Sequence, residues 1–237
     1  LRPVKGRIAV TGFRVGELLE QPNLGSVSCE AGLNGVVGKG LIDARVDGSV
    51  SQLEFNGYDY DSLRFGGRLT EKTFNGHVRA DDPALRFDFQ GEVGFNPERP
   101  HYDFDLDLIH ADLARMHLNR RDSVSVLSAL VEARASGRTL DDLNGKVTVG
   151  DVVYRYNADT LRTTRLTLDG QNSAGSKYLS LQSEFADATF RSRTDYKTVF
   201  EYLRSSLEKY IPLLYDEQKA RKRAAGAVSV VDDYSVL

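Results

Sequence analysis

Three aspartates alternate with apolar residues in Tyr102-Asp103-Phe104-Asp105-Leu106-Asp107-Leu108, and a carboxylate series of this kind is raw material for a calcium site. Geometry argues against it. Calcium loops converge their oxygens through a tight turn, whereas a strand holds alternate side chains about 7 Å apart on one face. A solvated strand face is the better reading. Asp81-Asp82-Pro83 offers adjacent carboxylates and reads as a turn ahead of Leu85 rather than as acid–base machinery. His110 and His117 stand seven apart with no third ligand at suitable spacing, so polar surface or core outweighs metal binding. Cys29, the one cysteine, excludes an internal disulfide framework and a multi-cysteine zinc cluster, and reads as a small buried or half-buried strand residue. No GxSxG, HExxH, CxxC, phosphate-binding loop or glycine-rich dinucleotide turn occurs. Neither an enzyme nor a cofactor is expected.

What the same residues do show is strand periodicity. Tyr102, Phe104, Leu106 and Leu108 share one face, and the three aspartates share the other. Leu85, Phe87 and Phe89 repeat the pattern against Arg86, Asp88 and Gln90. Leu166 and Leu168 do so against Thr167 and Asp169, and Leu179 and Leu181 against Ser180 and Gln182. Further strand-like runs cover 6–13, 41–46, 53–58, 62–69, 73–80, 146–156 (with Val147 and Val149) and 188–193, each bounded by Gly, Asn or Asp. Twenty-one glycines, 22 Tyr and Phe, and only six prolines in 237 residues fit short strands joined by tight turns.

A net charge of −3 gives no whole-chain field for capturing nucleic acid. No run approaches the roughly 18 apolar residues of a membrane-spanning helix, and no signal peptide opens the chain. Leu1 opens the sequence and Met116 is its one methionine, which leads us to expect an interior piece of a longer protein.

Three stretches depart from the β pattern. Ala111–Leu118 reads as one or two helical turns, and Asp122–Ser136 mixes alternation with a helix-friendly segment. Thr194–Leu214 is clearer: Tyr196, Phe200, Leu203, Leu207, Tyr210 and Leu214 recur at spacings of four and three. The spacing predicts an amphipathic helix near 194–211, stopped by Pro212 and packed on the apolar side of the sheet. Residues 215–225 read as a charged linker or helix continuation whose basic run, Lys219–Arg223, is a solvated end, and 226–237 as the start of another strand.

About a dozen one-sided strands with at most two helices leave an apolar face to be covered. A sheet that large curls or splits. The expected fold is therefore mainly β: a long antiparallel sheet over 1–193, with the helix beyond it. Its apolar face is covered by the sheet itself, by another chain or by an apolar ligand.

Leu108–Leu118 (LIHADLARMHL), Ala135–Val149 (ASGRTLDDLNGKVTV) and Tyr196–Pro212, which closes in YIP, resemble the TamB (translocation and assembly module) proteins of the AsmA-like family. The earlier sequence Asn56-Gly57-Tyr58, Phe74-Asn75-Gly76, Asp81 to Leu85 and Phe89-Gln90-Gly91 is similar in particular to the large Bacteroides-type members. The resemblance covers about 150 residues, mostly Leu53 to Pro212, and rests on the order and spacing of loose motifs. It implies a sheet curled into an open trough, apolar within and polar without. It also implies a periplasmic location in a Gram-negative envelope with an inner-membrane anchor elsewhere in the longer chain. Transport of phospholipid between the two membranes and a BamA-type outer-membrane barrel partner would follow.

Under that expectation the groove-lining residues are Leu85, Phe87, Phe89, Tyr102, Phe104, Leu106, Leu108, Val147, Val149, Leu166, Leu168, Leu179 and Leu181, and the occupant is a phospholipid acyl chain. Rival readings are a scaffold that templates outer-membrane protein strands at its sheet edge, and a plain β-sandwich whose apolar faces bury each other.

Overall fold

The computed structural model describes residues 2–173, 176–184 and 187–193. The helix expected over 194–214, the linker over 215–225 and the strand over 226–237 lie outside the described residues. Two compact units divide the chain, Leu1–Arg191 and Ser192–Leu237, and the first holds the sheet.

Thirteen strands follow in sequence: β1 (Arg2–Arg14), β2 (Leu24–Gly38), β3 (Leu41–Phe55), β4 (Tyr58–Tyr60), β5 (Leu63–Thr70), β6 (Thr73–Asp81), β7 (Leu85–Gly94), β8 (His101–Asp112), β9 (Ser125–Ser136), β10 (Asn144–Tyr156), β11 (Asp159–Ser173), β12 (Ser176–Ser183) and β13 (Asp187–Ser192). They form one open sheet in strict sequential order, apart from β4, which pairs with the end of β3. From β1 to β12 the paired strands are antiparallel. This is a meander joined by turns, and β1 and β13 are its two edges. Among the described residues the only α-helix is the short α1 (Val15–Leu19), ended by Glu20 in the left-handed conformation.

The segment 53–58, expected as one strand, is a hairpin. Asn56 (φ 53°) and Gly57 (φ 73°) form a two-residue turn between β3 and β4, and an Asn-Gly pair with two left-handed residues matches the twist of the flanking strands. Ala111–Leu118 ends β8 in successive hydrogen-bonded turns that do not become a helix. Met116 N–H donates to the Asp112 carbonyl, and the Leu118 and Asn119 N–H groups both return to Leu113. The ambiguous 122–136 resolves as strand β9, whose alternation was blurred by helix-tolerant Leu and Ala.

The sheet is curled, and its causes are local. Gly67, Gly76 and Gly91 oppose one another on adjacent strands, all on the apolar face. A Cβ on Gly76 would collide with the Gly66 carbonyl oxygen, and one on Gly91 (φ +142°) with that of Asp103. Only glycine lets the strands bend that sharply toward the apolar side. Bulges add to the bend between Leu108 and Ala111 on β8, and between Gly150 and Val153 on β10.

The curl brings distant turns together. In a flat sheet four spacings separate β3 from β8, about 19 Å. Here His117 Nδ1, in the turns after β8, donates to the Asn56 carbonyl at 2.9 Å. Arg115 lies 5.7 Å from the centre of the Tyr58 ring. Among the described residues one core cluster forms, beneath this contact, from buried Tyr60, Ala84, Ala111 and Met116 with half-buried Leu53, Leu63, Leu85, Leu108 and Leu127 around it. Asp82, in the β6–β7 turn, is 1 % exposed. It accepts from Tyr58 O–H at 2.8 Å, from Asp61 N–H at 3.0 Å and from Ala84 N–H at 2.7 Å. A buried carboxylate is tolerable because three donors satisfy it.

Candidate functional site

Register assigns the apolar side chains to a single face. One row runs across the strands through Ile8, Ala31, Gly48, Phe65, Val78, Phe89, Leu106, Val131, Val149 and Leu166. Beside it runs a second, through Val46, the three opposed glycines, Phe104, Ala133, Val147, Leu168 and Leu181. Flanking rows carry Leu63, Ala80, Phe87, Leu108 and Ala129 on one side, and Val93, Tyr102, Ala135, Gly145, Gly170 and Leu179 on the other. Leu85 sits one row further out, opposite Ala111 and Leu127. All thirteen residues expected from the sequence to share a face do so.

Burial along these rows decides between a sandwich and a furrow. In a sandwich the large side chains of the inner faces would be the most buried in the molecule. Instead Leu179, 3 % exposed, is the only one of the thirteen that is buried, and the other twelve are half-buried. The buried apolar residues of the rows are mainly small: Ala44, Ala80, Ala129 and Ala133. Phe89 and Phe104 lie 5.2 Å apart, and Tyr102 meets Phe104 edge-on at 6.5 Å, so the aromatic floor touches itself yet stays open above. Concavity shades these side chains, and no second layer of described residues covers them. The result is an apolar groove about as long as twelve stacked strands, roughly 50 Å along the sheet.

The opposite face is wet over β7 and β8, whereas Thr148, Thr167 and Ser180 on the same face of β10 to β12 are buried. Asp103, Asp105 and Asp107 are exposed, as their alternation requires. Their mutual repulsion is relieved by Arg134 on β9, whose Nε lies 2.8 Å from Asp103 and whose Nη2 lies 2.9 Å from Asp105. The partner was not legible in the aspartate series because it comes from a different strand. Arg68 forks onto Asp43 at 2.7 and 2.6 Å, and its hydrogen bond holds that carboxyl below the usual range. Hydrogen bonds from Asn75 and then from His101 lower Glu92. These exposed pairs fix register and solubility more than stability.

The two candidate chemistries have become structure. Asp82 ties down a turn, as Asp81-Asp82-Pro83 suggested, and burial followed by its hydrogen bond to that carboxylate pushes Tyr58 up to about 12. His110 and His117 are not brought together with further ligands, and no group of three metal-ligating side chains occurs among the described residues. Cys29 is half-buried in β2, opposite Val10 and Val50 on the groove face. No helix among the described residues is long and apolar enough to cross a membrane.

Sequence reasoning missed the groove residues of the first six strands, notably Ile8, Ala31, Phe65 and Val78. Their signal was weak because Gly48, Gly67 and Gly76 occupy groove positions and interrupt the apolar alternation. Comparison of the chain with protein-family models, with curated proteins and with solved structures gives no match.

Proposed function

We propose that this chain is a segment of a TamB-like, AsmA-like bridge protein of the Gram-negative periplasm, and that it conducts phospholipids between the inner and outer membranes with their acyl chains lying in the groove. The observation that supports this reading is a continuous apolar face that no described residues cover and whose large side chains stay half-exposed. Each methylene taken from water into such a face gains about 0.8 kcal/mol, so a greasy path lowers the barrier to moving a lipid tail without any bond chemistry. The resemblance supplies the envelope setting and the BamA-type barrel partner.

The test is photocrosslinking in cells. Probes replacing Phe87 and Phe104 capture phospholipid, whereas probes at Asp88 and Asp105 on the outer face do not. Equal capture from both faces removes the proposal. Mass spectrometry of the gently purified protein detects co-purified phospholipid if the reading is right.

A second reading has its own support at β1. This edge strand runs 13 residues, with Val4 and Ile8 exposed on the groove face and Lys5 and Arg7 on the other, opposite uncharged Asn34 and Gly32. An edge of that length can accept a further strand, as scaffolding of outer-membrane protein assembly would need, although Pro3, Lys5, Arg7 and the bulge between Val10 and Phe13 blunt it. Pull-down of barrel proteins without lipid favours this alternative.

A further inference from the structure

The groove has two long rims, built from the turns at opposite ends of the strands, and they differ. At one, the Asn56-Gly57 hairpin tip and the 113–118 turns lean together over the ends of β5, β6 and β7. They join through the His117–Asn56 hydrogen bond and the Arg115–Tyr58 contact. Below this junction the groove is filled by Met116 (2 % exposed) and Tyr60 (5 % exposed), and Asp82 anchors the β6–β7 turn to Tyr58. At the other rim the turns at 71–72 and 95–100 meet only as neighbours, Phe95 N–H donating to the Lys72 carbonyl at 2.6 Å; no link among the described residues spans four strands there, and Phe95 is 51 % exposed.

The geometry points to one-sided loading. Over β5 to β8 a lipid enters and leaves sideways through the rim at 71–72 and 95–100, while the strapped rim is a fixed wall. This inference rests on the lipid-conducting reading and adds to it the route and the headgroup's position. A phospholipid whose tails lie on Phe89, Phe104 and Leu106 must keep its headgroup in water. With Met116 and Tyr60 filling the strapped side, the headgroup leaves the groove on the side of Tyr102 and Phe95, where the described residues leave it open to water.

The strap can be locked to test this. A Cβ on Gly57 would lie 3.7 Å from His117 Nδ1, so cysteines at the two positions face each other across the strap, and loss of both free thiols on oxidation verifies the bridge before uptake is read. In a Cys29→Ser background, Gly57→Cys with His117→Cys gives one protein that is closed when oxidised and free when reduced. Vesicles of phosphatidylethanolamine and phosphatidylglycerol, carrying trace phospholipid with a photoreactive headgroup, supply the probe. The expected result is uptake that differs by less than about twofold between oxidised and reduced forms. Headgroup labelling should map to the 95–100 turn at about tenfold or more over the 113–118 turns. Uptake that collapses on oxidation, or labelling that is equal at both rims or favours the strap, overturns the inference while leaving the groove's occupant established. A tail-labelled phospholipid that fails to mark Phe104 in either form removes the lipid-conducting reading, and the route with it.

Discussion

At the scale of single residues, the side chains that first suggested chemistry hold the fold. Asp82 is the clearest. Asp82→Ala strips three donors of their acceptor in a buried site, and we expect a loss of about 2–3 kcal/mol in urea unfolding. A substitution at exposed Asp88, whose contact with Arg79 is 3.6 Å long, stays within about 0.5 kcal/mol. Asp142 closes the turn before β10. Burial raises its pKa, but the N–H groups of Arg138 and Thr139, the Thr139 hydroxyl and the Arg138 side chain outweigh this and hold it at about 2. A carboxyl depressed in the folded state stabilises fully above its unfolded value near 3.8, and that contribution fades as pH falls toward 2. Acid titration followed by NMR shows the 138–142 turn loosening in that window and not at pH 5, and Asp142→Asn abolishes the pH dependence. The turn at Asp81-Asp82-Pro83 was legible from the sequence, but the partners of Asp82 and Asp142 were not, because they depend on where a folded turn points its N–H groups.

Among elements, strands were legible where an apolar residue stood at every second position. Strands β7 and β8 are the purest cases, and Leu85, Phe87, Phe89, Phe104 and Leu106 lie where their spacing placed them. The pattern was lost where curvature displaced side chains. Strand β2 went unrecognised because Gly32 and Gly35 break its alternation, and the Asn56-Gly57 turn was absorbed into a strand. Missing Cβ atoms therefore mark the bend. Gly76→Val places a branched side chain against the Gly66 carbonyl and costs about 2 kcal/mol or more, measured by thermal unfolding. Gly6→Ala is its control: a Cβ there meets nothing within 4 Å, and stability changes by less than about 0.5 kcal/mol.

Across the sheet, the function we propose depends on a face rather than on a constellation of residues. Leu106 sits in the central row between Phe89 and Val131, half-buried and open above. Leu106→Asp leaves room for its carboxylate to stay hydrated, so the protein persists, while lipid capture at Phe104 falls by about tenfold or more. If the variant protein accumulates normally and captures lipid at the wild-type level, an apolar path is not what the sheet provides.

Nearly every strand in this meander pairs with its neighbour in the chain, so hairpins can form one after another as the polypeptide emerges, with little loop entropy to overcome. The His117–Asn56 link is different, because it joins groups 61 positions apart. It can close only after five successive strands are in place, which makes it the last step in the assembly of β3 to β8 and the first contact there to let go. Amide exchange should reflect that order, with Met116 and Tyr60 protons exchanging well before those of Leu106 and Val149.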